Sequence, residues 1–225
     1  MIAPLFSQPD SPVLHTRIKI CGITRVEDAL SAAQAGADAI GLVFYPSSPR
    51  AVSVDIAREI VANLPPFVTA VGLFVNETAS EIERINKSVG LDLLQLHGDE
   101  TPQFCAALGV PFLKALRVKP GDDVAQLMNA WRDARSILLD AFKPGVPGGT
   151  GEVFDWSLVP RSQAGKIVLA GGLTPDNVCG AIQATRVAAV DVSGGVESAP
   201  GLKSSEKIAA FVSAVRSADQ IPKGE

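Results

Sequence analysis

The stretch Arg17-Ile18-Lys19-Ile20-Cys21-Gly22-Ile23-Thr24 predicts a β-strand that leads directly into a helix. Apolar residues alternate with polar ones in its first half, which is the period-two pattern of a strand. Lys19 and Cys21 therefore share one face of the strand. We expect Gly22 to end the strand and Thr24 to cap the helix that follows. Because a nearby positive charge favours a thiolate, Cys21 is either a reactive group or a small apolar filler.

Composition indicates a globular protein with one hydrophobic core. The chain has 225 residues, of which 47% are hydrophobic, and this length favours one domain over two. Its net charge of −4 gives no sign of a nucleic-acid or membrane-surface partner. No run of about 18 apolar residues occurs, so we expect no transmembrane helix.

The three cysteines indicate a reducing, cytoplasmic setting. Their number is odd and no CxxC pair occurs, so neither a disulfide framework nor a zinc site is expected. Cys105 and Cys179 fall inside predicted helices, and we expect both to fill the core.

Eight short apolar runs alternate with segments of helical spacing along the chain. The runs cover residues 17–20, 37–44, 67–75, 91–96, 112–118, 136–139, 166–170 and 187–192. Ser53, Thr78, Thr101 and Thr174 stand where helix N-caps are expected. The alternation predicts parallel βαβ units, and eight of them predict a single α/β domain with the (β/α)8 TIM-barrel fold. A doubly wound open sheet is the rival fold, but no GxGxxG follows the first strand.

The domain limits follow from these runs. We expect a loose N-terminal extension over residues 1–16, a barrel catalytic domain over 17–216 and a C-terminal tail over 217–225. The extension carries several prolines and no basic region, so it does not resemble a signal peptide.

Polar residues, cysteine and glycine gather at the predicted carboxyl ends of the strands, where a barrel of this kind has its active site. These ends carry Cys21, the loop 45–50, Asn76, His97, Arg117, Asp140, Gly171-Gly172 and Ser193-Gly194-Gly195. Glycines let backbone N–H groups approach an anion closely, and the loops after strands seven and eight often bind phosphate in such barrels. The last two glycine pairs therefore form either a phosphate site or two tight turns.

Two charged residues at these ends are candidates for chemistry. Asp140 follows an apolar run, and desolvation raises a carboxyl pKa, which suits a general acid. The alternative is a structural aspartate in a salt bridge. Arg50 either forms a bidentate pair with a substrate carboxylate or is an ordinary solvated arginine.

Three further features have two interpretations each. His97 is a base or a structural histidine at a strand end. Lys19 holds Cys21 or Asp191 by charge, or is a structural lysine of the barrel interior. The glycine-rich segment 143–151 is a mobile lid or a surface loop without a role.

Several motifs carry a family resemblance. They are Lys19-Ile20-Cys21-Gly22-Ile23-Thr24, residues 41–50, residues 71–76, Leu94-Gln95-Leu96-His97-Gly98, Leu138-Leu139-Asp140, residues 148–151, Phe154-Asp155-Trp156, residues 169–173 and residues 190–197. Together they resemble the phosphoribosylanthranilate isomerase family of tryptophan biosynthesis, from about residue 17 to residue 215. Two departures are Ala170 and Gly194, where many members have serine, and neither removes a backbone phosphate donor.

The resemblance implies an Amadori rearrangement. The substrate would be N-(5-phosphoribosyl)anthranilate and the product 1-(2-carboxyphenylamino)-1-deoxyribulose 5-phosphate. The aspartate matching Asp140 would be the general acid and the cysteine matching Cys21 the general base. Arg50 would hold the anthranilate carboxylate, and the loops at Gly171-Gly172 and Ser193-Gly194-Gly195 would hold the phosphate.

The remaining expectations concern further binding residues, cofactors and partners. His97, Lys19 and Asp191 are taken as further substrate-binding residues. The reaction needs no metal and no other cofactor, and the expected partner is a small phosphorylated substrate, with no nucleic acid and no membrane. The protein would be a monomer or a homodimer.

Two alternatives remain open from the sequence. One is another sugar-phosphate isomerase on the same barrel, similar to ProFAR isomerase of histidine biosynthesis, although that family has an aspartate where this chain has Cys21. The other is a barrel that binds a phosphorylated metabolite without turnover, which the presence of both Cys21 and Asp140 argues against.

Overall fold

Eight parallel strands close into a barrel in chain order in the computed structural model, which describes residues 15–141 and 155–221. The strands are β1 Arg17–Cys21, β2 Ala39–Val43, β3 Thr69–Phe74, β4 Leu93–Leu96, β5 Phe112–Val118, β6 Ser136–Ala141, β7 Ile167–Leu169 and β8 Ala189–Val192. A separate two-stranded antiparallel sheet follows, formed by β9 Glu197–Ala199 and β10 Leu202–Lys203. The prediction of a (β/α)8 TIM barrel is confirmed.

Helices surround the barrel. They are α1 Val26–Ala35, α2 Val54–Ala62, α3 Ala79–Val89, α4 Pro102–Ala107, α5 Val124–Met128, α6 Val178–Thr185 and α7 Ser205–Gln220. Between β6 and β7 the described residues contain 3₁₀ turns at Trp156–Leu158 and Arg161–Lys166. The predicted lid segment 143–151 lies outside the described residues.

Side-chain caps begin several of these helices. Ser53, Thr78 and Thr101 each accept a hydrogen bond from the backbone N–H three residues later, as predicted. Two cap predictions are wrong. Thr24 donates its hydroxyl to the carbonyl of Gly201, and α1 begins after Arg25 with no side-chain cap. Thr174 donates its N–H to Asn177 Oδ1, so α6 starts only at Val178.

The strands bury their two faces differently, as the alternation in β1 predicts. Ile18 and Ile20 are buried in the large apolar layer between the barrel and the helices. Cys21 instead packs with Val43 and Leu73 in a small cluster of its own. The barrel wall therefore separates a wide apolar shell from an interior that contains the cluster around Cys21, a second small apolar cluster that includes Leu113 and Leu138, and the charged pair Lys19 and Asp191.

Thr16 and Asp219, which lie near the two limits of the described residues, meet at the amino end of β1. Thr16 is buried, and its N–H and hydroxyl both donate to the carboxylate of Asp219 near the end of α7. Helix α7 continues to Gln220. The packed residues thus extend slightly beyond the expected limits of 17 and 216.

Two smaller expectations need correction. Strand β3 begins at Thr69 rather than at residue 67, because Phe67 has a φ of 72° and its side chain is fully exposed. Cys105 is completely buried, but Cys179 is only partly buried and packs at the edge of the core. Across the two described ranges, no helix has the length and apolar character needed to cross a membrane.

A buried ion pair ties the ends of three strands together. Lys114 Nζ lies 2.6 Å from Glu100 Oε2 and donates to the carbonyl of Gly98, and both charged side chains are 3% exposed. The ammonium also lies 5.2 Å from the ring centre of Trp131. Glu100 in turn accepts from the backbone N–H groups of Asn76 and Gly98. The pair thereby joins β5 to the loops after β3 and β4.

Replacing Lys114 by methionine leaves the Glu100 carboxylate buried without a countercharge. Removing one partner of a buried pair costs about 3–5 kcal/mol, so we expect the Lys114→Met free energy of unfolding to fall by that amount. Urea unfolding followed by circular dichroism measures it. The double variant Lys114→Met/Glu100→Gln should recover part of the loss. Arg84→Met, which breaks the exposed Arg84–Glu81 pair, is the matched control and should barely move the transition.

Candidate active site

A cavity of about 740 Å³ opens at the carboxyl ends of the barrel strands. Its walls come from β1, β2, β3, β4, β6 and β8 and from the residues that follow β2, β3, β4, β7 and β8. Ten residues predicted from the sequence line it, namely Cys21, Arg50, His97, Asp140, Gly171, Gly172, Asp191, Ser193, Gly194 and Gly195. The described lining does not include Asn76, Arg117 or Lys19.

Cys21 lies at the end of β1 with its thiol in a space kept open by a glycine. Strand β2 pairs Gly41 with Cys21, and a Cβ on Gly41 would lie 2.7 Å from Cys21 Sγ and 3.1 Å from Lys19 Nζ. Any side chain at position 41 would therefore displace both groups. Sequence analysis missed this function of Gly41, because an interior glycine gives no local signal of what faces it.

The protonation of Cys21 differs from the simple expectation. Burial raises the pKa of the thiol, and the neighbouring Lys19 lowers it only in part, so the net pKa is above that of an ordinary thiol. The sequence favoured the thiolate because it revealed the ammonium but not the depth of burial. The deep position of Cys21 therefore favours the protonated thiol, and Lys19 opposes this preference.

Lys19 supports the site from beneath. Its Nζ lies 2.8 Å from Asp191 Oδ1, and the two side chains are 6% and 9% exposed. Burial alone would lower the pKa of Lys19, but the carboxylate of Asp191 and the nearby Cys21 more than offset this and raise it. Lys19 is therefore charged, and it fixes Asp191 next to Cys21.

Asp140 lies at the end of β6 beside His97. His97 Nε2 is 3.4 Å from Asp140 Oδ2, and His97 Nδ1 is 2.9 Å from the amide nitrogen of Gln95. When Nδ1 accepts from that amide, the imidazole hydrogen is on Nε2 and faces the carboxylate. His97 thus belongs to the side of the cavity that holds the carboxylate, away from the thiol.

Gln95 is a site residue that sequence analysis did not single out. It is 1% exposed, it lines the cavity, and its Oε1 has no hydrogen-bond partner within the described ranges. His97 Nε2 makes no hydrogen bond there either, although it lies 3.4 Å from Asp140 Oδ2. The period-two pattern offered a signal, because Gln95 shares a strand face with His97.

The backbone N–H groups of the two glycine-rich loops line one corner of the cavity, where their geometry suits an anion. Gly171 and Gly172 have φ values of 81° and 64°, a conformation that other residues rarely adopt. Among residues 15–141 and 155–221, nothing accepts a hydrogen bond from the N–H groups of Gly171, Gly172, Gly194 or Gly195. A Cβ on Gly195 would collide with the Leu173 carbonyl. Four free donors lie next to the cavity.

Arg50 reaches across the top of the barrel from the loop after β2. Its Nε and Nη2 donate to the two carboxylate oxygens of Glu197, each at 2.8 Å. This hydrogen-bonded pair raises the pKa of Arg50 still further, so the group carries a permanent positive charge. Sequence analysis did not identify Glu197 as part of the site.

Fold and cavity together define a class of protein, a (β/α)8-barrel enzyme whose reaction takes place at the carboxyl ends of the strands. The family model described as N-(5'-phosphoribosyl)anthranilate (PRA) isomerase matches residues 18–214. The chain therefore belongs to the N-(5'-phosphoribosyl)anthranilate isomerase family.

Individual relatives agree with this assignment. The N-(5'-phosphoribosyl)anthranilate isomerase of Pseudomonas aeruginosa (strain LESB58) is 62% identical over 201 residues, which cover 89% of this chain and 95% of the relative. The enzyme of the same name from Pseudomonas putida (strain KT2440) is 61% identical over 204 residues, with coverages of 91% and 99%.

Solved structures give the same result. A phosphoribosylanthranilate isomerase in complex with reduced 1-(o-carboxyphenylamino)-1-deoxyribulose 5-phosphate is 42% identical with a TM-score of 0.80, covering 90% of this chain and 99% of its own. The isomerase of Thermotoga maritima is also 42% identical, with a TM-score of 0.82 and the same coverages.

The raised pKa of Cys21 predicts a specific pH dependence of thiol modification. Alkylation requires the thiolate, so inactivation by iodoacetamide should become faster as the pH rises. The pH at which inactivation reaches half its maximal rate should be higher than the corresponding pH for a cysteine in an unstructured peptide. The loss of isomerase activity with time measures this rate. Lys19→Met should move the profile to still higher pH, because it removes the charge that lowers the pKa.

A Cys179→Ser background removes the partly exposed cysteine from this experiment. Cys105 does not interfere, because it is fully buried and burial raises its pKa to about 11. If inactivation reached half its maximal rate at the same pH as for the peptide thiol, or at a lower pH, the conclusion that burial raises the pKa of Cys21 would be wrong.

Proposed function

We propose that this protein isomerises N-(5-phosphoribosyl)anthranilate to 1-(2-carboxyphenylamino)-1-deoxyribulose 5-phosphate, a step of tryptophan biosynthesis, with Asp140 as general acid and Cys21 as general base. One observation carries the assignment of these roles: the carboxyl group of Asp140 on β6 and the sulfur of Cys21 on β1 line one cavity. These strands are three places apart around the closed barrel, so the groups approach a small sugar from different sides.

The first step opens the ribose ring. The protonated form of Asp140 donates its proton to the ring oxygen, the bond from that oxygen to C1 breaks, and the anthranilate nitrogen supplies the electron pair for a C1=N iminium. Asp140 is 5% exposed, and His97 Nε2 lies 3.4 Å from its Oδ2. The carboxylate that remains is held beside the imidazole.

The second step removes the C2 proton. Cys21 first gives its thiol proton to solvent, and the resulting thiolate takes the C2 proton. The electrons of the C–H bond then form the C1=C2 bond, and the electron pair of the C1=N bond moves to nitrogen to give the enolamine. Loss of the C2 hydroxyl proton and gain of a proton at C1 then give the ketone. Lys19 stabilises the thiolate that this step requires, since its charge lowers the pKa that burial raises.

Binding uses the charged ends of the substrate. The N–H groups of Gly171, Gly172, Gly194 and Gly195, together with Ser193, hold the phosphate, because donors without partners are suited to an anion. Arg50 binds the anthranilate carboxylate through a charge-assisted hydrogen bond.

The remaining groups act between these two ends. His97 and Asp191 contact the sugar from the cavity wall, whereas Lys19 holds Asp191 in place. All of these residues come from one chain, so a monomer and a homodimer both contain complete sites. One solved relative is described as a dimeric isomerase from which monomers were generated.

The setting of the reaction follows from the same chemistry. The three cysteines are free thiols and the net charge is −4, which supports a cytoplasmic protein that works on a small phosphorylated metabolite without nucleic acid or membrane.

Loss of either catalytic group should abolish most of the turnover. General acid or base catalysis contributes about 10²–10⁴-fold per group, so we expect Cys21→Ala and Asp140→Asn each to lower kcat by at least that range with small changes in KM. The rates are measured with freshly prepared phosphoribosylanthranilate by following the loss of its fluorescence. Cys21→Ser should also be poor, because a hydroxyl is a far weaker acid than a thiol and forms its anion far less readily.

Cys179→Ser is the matched control and should keep wild-type turnover, since Cys179 lies in α6 outside the cavity. If Cys21→Ala turned over substrate at a near-normal rate, the base would be another group. A wild-type protein that left the substrate unchanged would refute the proposed reaction itself.

The glycine loops should control binding rather than chemistry. Phosphate is remote from the bonds that change, so Gly194→Val should raise KM by about tenfold or more and lower kcat much less. The inhibition constant of inorganic phosphate should rise in parallel, because the same donors bind it. Gly180→Val on the outer surface of α6, where a side chain meets open space, is the control for a general effect of valine. Unchanged KM and phosphate inhibition in correctly folded Gly194→Val would remove these donors from the site.

A further inference from the structure

The two-stranded sheet β9–β10 is not part of the barrel, yet it supplies two of the most deeply buried charges beside the cavity. Its register places Lys203 opposite Glu197. Lys203 Nζ lies 2.9 Å from Glu197 Oε1, and the two side chains are 0% and 6% exposed. The sheet therefore presents an ion pair toward the barrel mouth.

Arg50 completes this cluster from the opposite direction. Its Nε and Nη2 occupy the two oxygens of Glu197, while Lys203 Nζ and the N–H of Gly201 share Oε1. Arg50 Nη1 has no hydrogen-bond partner among residues 15–141 and 155–221. One edge of the guanidinium is fixed and the other is available.

A glycine makes this crossing possible. The side chain of Arg50 passes over the end of β1, where a Cβ on Gly22 would lie 2.5 Å from Arg50 Cδ and 3.0 Å from Ser193 Oγ. Gly22 also has a φ of 73°. The path from the β2 loop to Glu197 thus exists only because position 22 has no side chain.

The same lysine connects the cluster to the loop after β8. Lys203 Nζ donates to the carbonyl oxygen and to the hydroxyl of Ser193, at 3.2 and 3.4 Å. Ser193 immediately precedes Gly194 and Gly195 of the cavity lining. Lys203 is therefore the point at which the Arg50 side of the cavity and its phosphate side are joined.

The charges of the cluster leave one unit unbalanced. Two basic groups, Arg50 and Lys203, share the single carboxylate of Glu197. Burial lowers the pKa of Lys203, and the hydrogen bond to Glu197 opposes this shift and favours the ammonium. Burial alone would raise the pKa of Glu197, but the hydrogen bonds from both cations outweigh it and keep the carboxylate ionised. The net charge of +1 beside the cavity matches a ligand carboxylate.

We propose that Glu197 is a positioning residue for recognition of the substrate carboxylate: it fixes Arg50 through Nε and Nη2, so that Nη1 is presented to the ligand, and Lys203 holds Glu197 in place. This inference rests on the proposed role of Arg50. It gives the β9–β10 sheet a function in substrate selection.

The experiment compares two competitive inhibitors that differ by one carboxyl group. One is reduced 1-(o-carboxyphenylamino)-1-deoxyribulose 5-phosphate, and the other is the same compound with an unsubstituted phenyl ring. The ratio of their inhibition constants measures carboxylate recognition alone, because the phosphate and sugar contacts cancel. A defect that merely loosened the fold would weaken both compounds and leave the ratio unchanged.

Glu197→Gln keeps the shape of the side chain but turns an amide nitrogen toward one of the Arg50 donors, so the two-point pair breaks. We expect the ratio to fall by about tenfold and KM for the substrate to rise, with kcat changed by less than about threefold. Glu81→Gln is the matched control, since Glu81 makes the same two-point contact with Arg84 on the surface of α3. It should leave ratio, KM and kcat at their wild-type values.

Two further variants distinguish a loss of fold stability from a loss of carboxylate recognition. Glu197→Gln/Lys203→Met removes both buried charges. Because no ammonium is then buried without a countercharge, this variant should be more stable than Glu197→Gln, and it should keep the low ratio of inhibition constants. Arg50→Ala should abolish the preference for the carboxylated inhibitor.

An unchanged ratio in Glu197→Gln and in the double variant, with a reduced ratio in Arg50→Ala, would overturn the positioning role and leave Arg50 as the carboxylate ligand. An unchanged ratio in Arg50→Ala would overturn both assignments. Turnover by the wild type is measured in the same assay and tests the proposed reaction independently of either.

Discussion

The buried ion pair between Lys19 and Asp191 is the constraint on which both the fold and the site depend. Burying an isolated charge costs much free energy, so each of these charged side chains needs the other as its ion-pair partner. They lie directly opposite one another in the pairing of β1 with β8, which is the seam that closes the barrel. An open sheet would leave both charges without partners. Closure and the placement of charge next to Cys21 are therefore the same structural event.

The pair also determines what its neighbours can be. Gly41 on β2 must lack a side chain, because Lys19 Nζ and Cys21 Sγ occupy the space that a Cβ would need. Cys21 experiences two opposing influences from this arrangement, since burial raises its pKa and the Lys19 ammonium opposes the rise. The result is a thiol that is held close to a charge while its burial favours the protonated form.

Local periodicity was sufficient to predict the barrel. Each strand can be recognised from the pattern of its own residues. For β5, the predicted and observed limits coincide at Phe112–Val118. Once eight strands are counted, the positions of their carboxyl ends follow, and so do most candidate residues. Cys21, Asp140 and the glycine pairs were predicted because strand ends are local features of a sequence.

Features that depend on distant contacts could not be predicted in this way. Glu197 lies 147 residues from Arg50, and only the folded barrel brings them together. Thr24 was expected to cap α1, but its hydroxyl instead finds the carbonyl of Gly201, 177 residues away. The pKa of Cys21 likewise follows from its depth in the barrel, which no local pattern contains.

The contact between Thr16 and Asp219 has a consequence for how the chain can be connected. The backbone N–H of Thr16 lies 3.0 Å from the carboxylate of Asp219, so the start of β1 and the end of α7 are neighbours on the face opposite the cavity. A short linker could join these two points without stretching the chain. The barrel is thus suited to circular permutation, with new termini opened in an exposed loop on that same face, while every strand keeps its neighbours and the mouth of the barrel stays unobstructed.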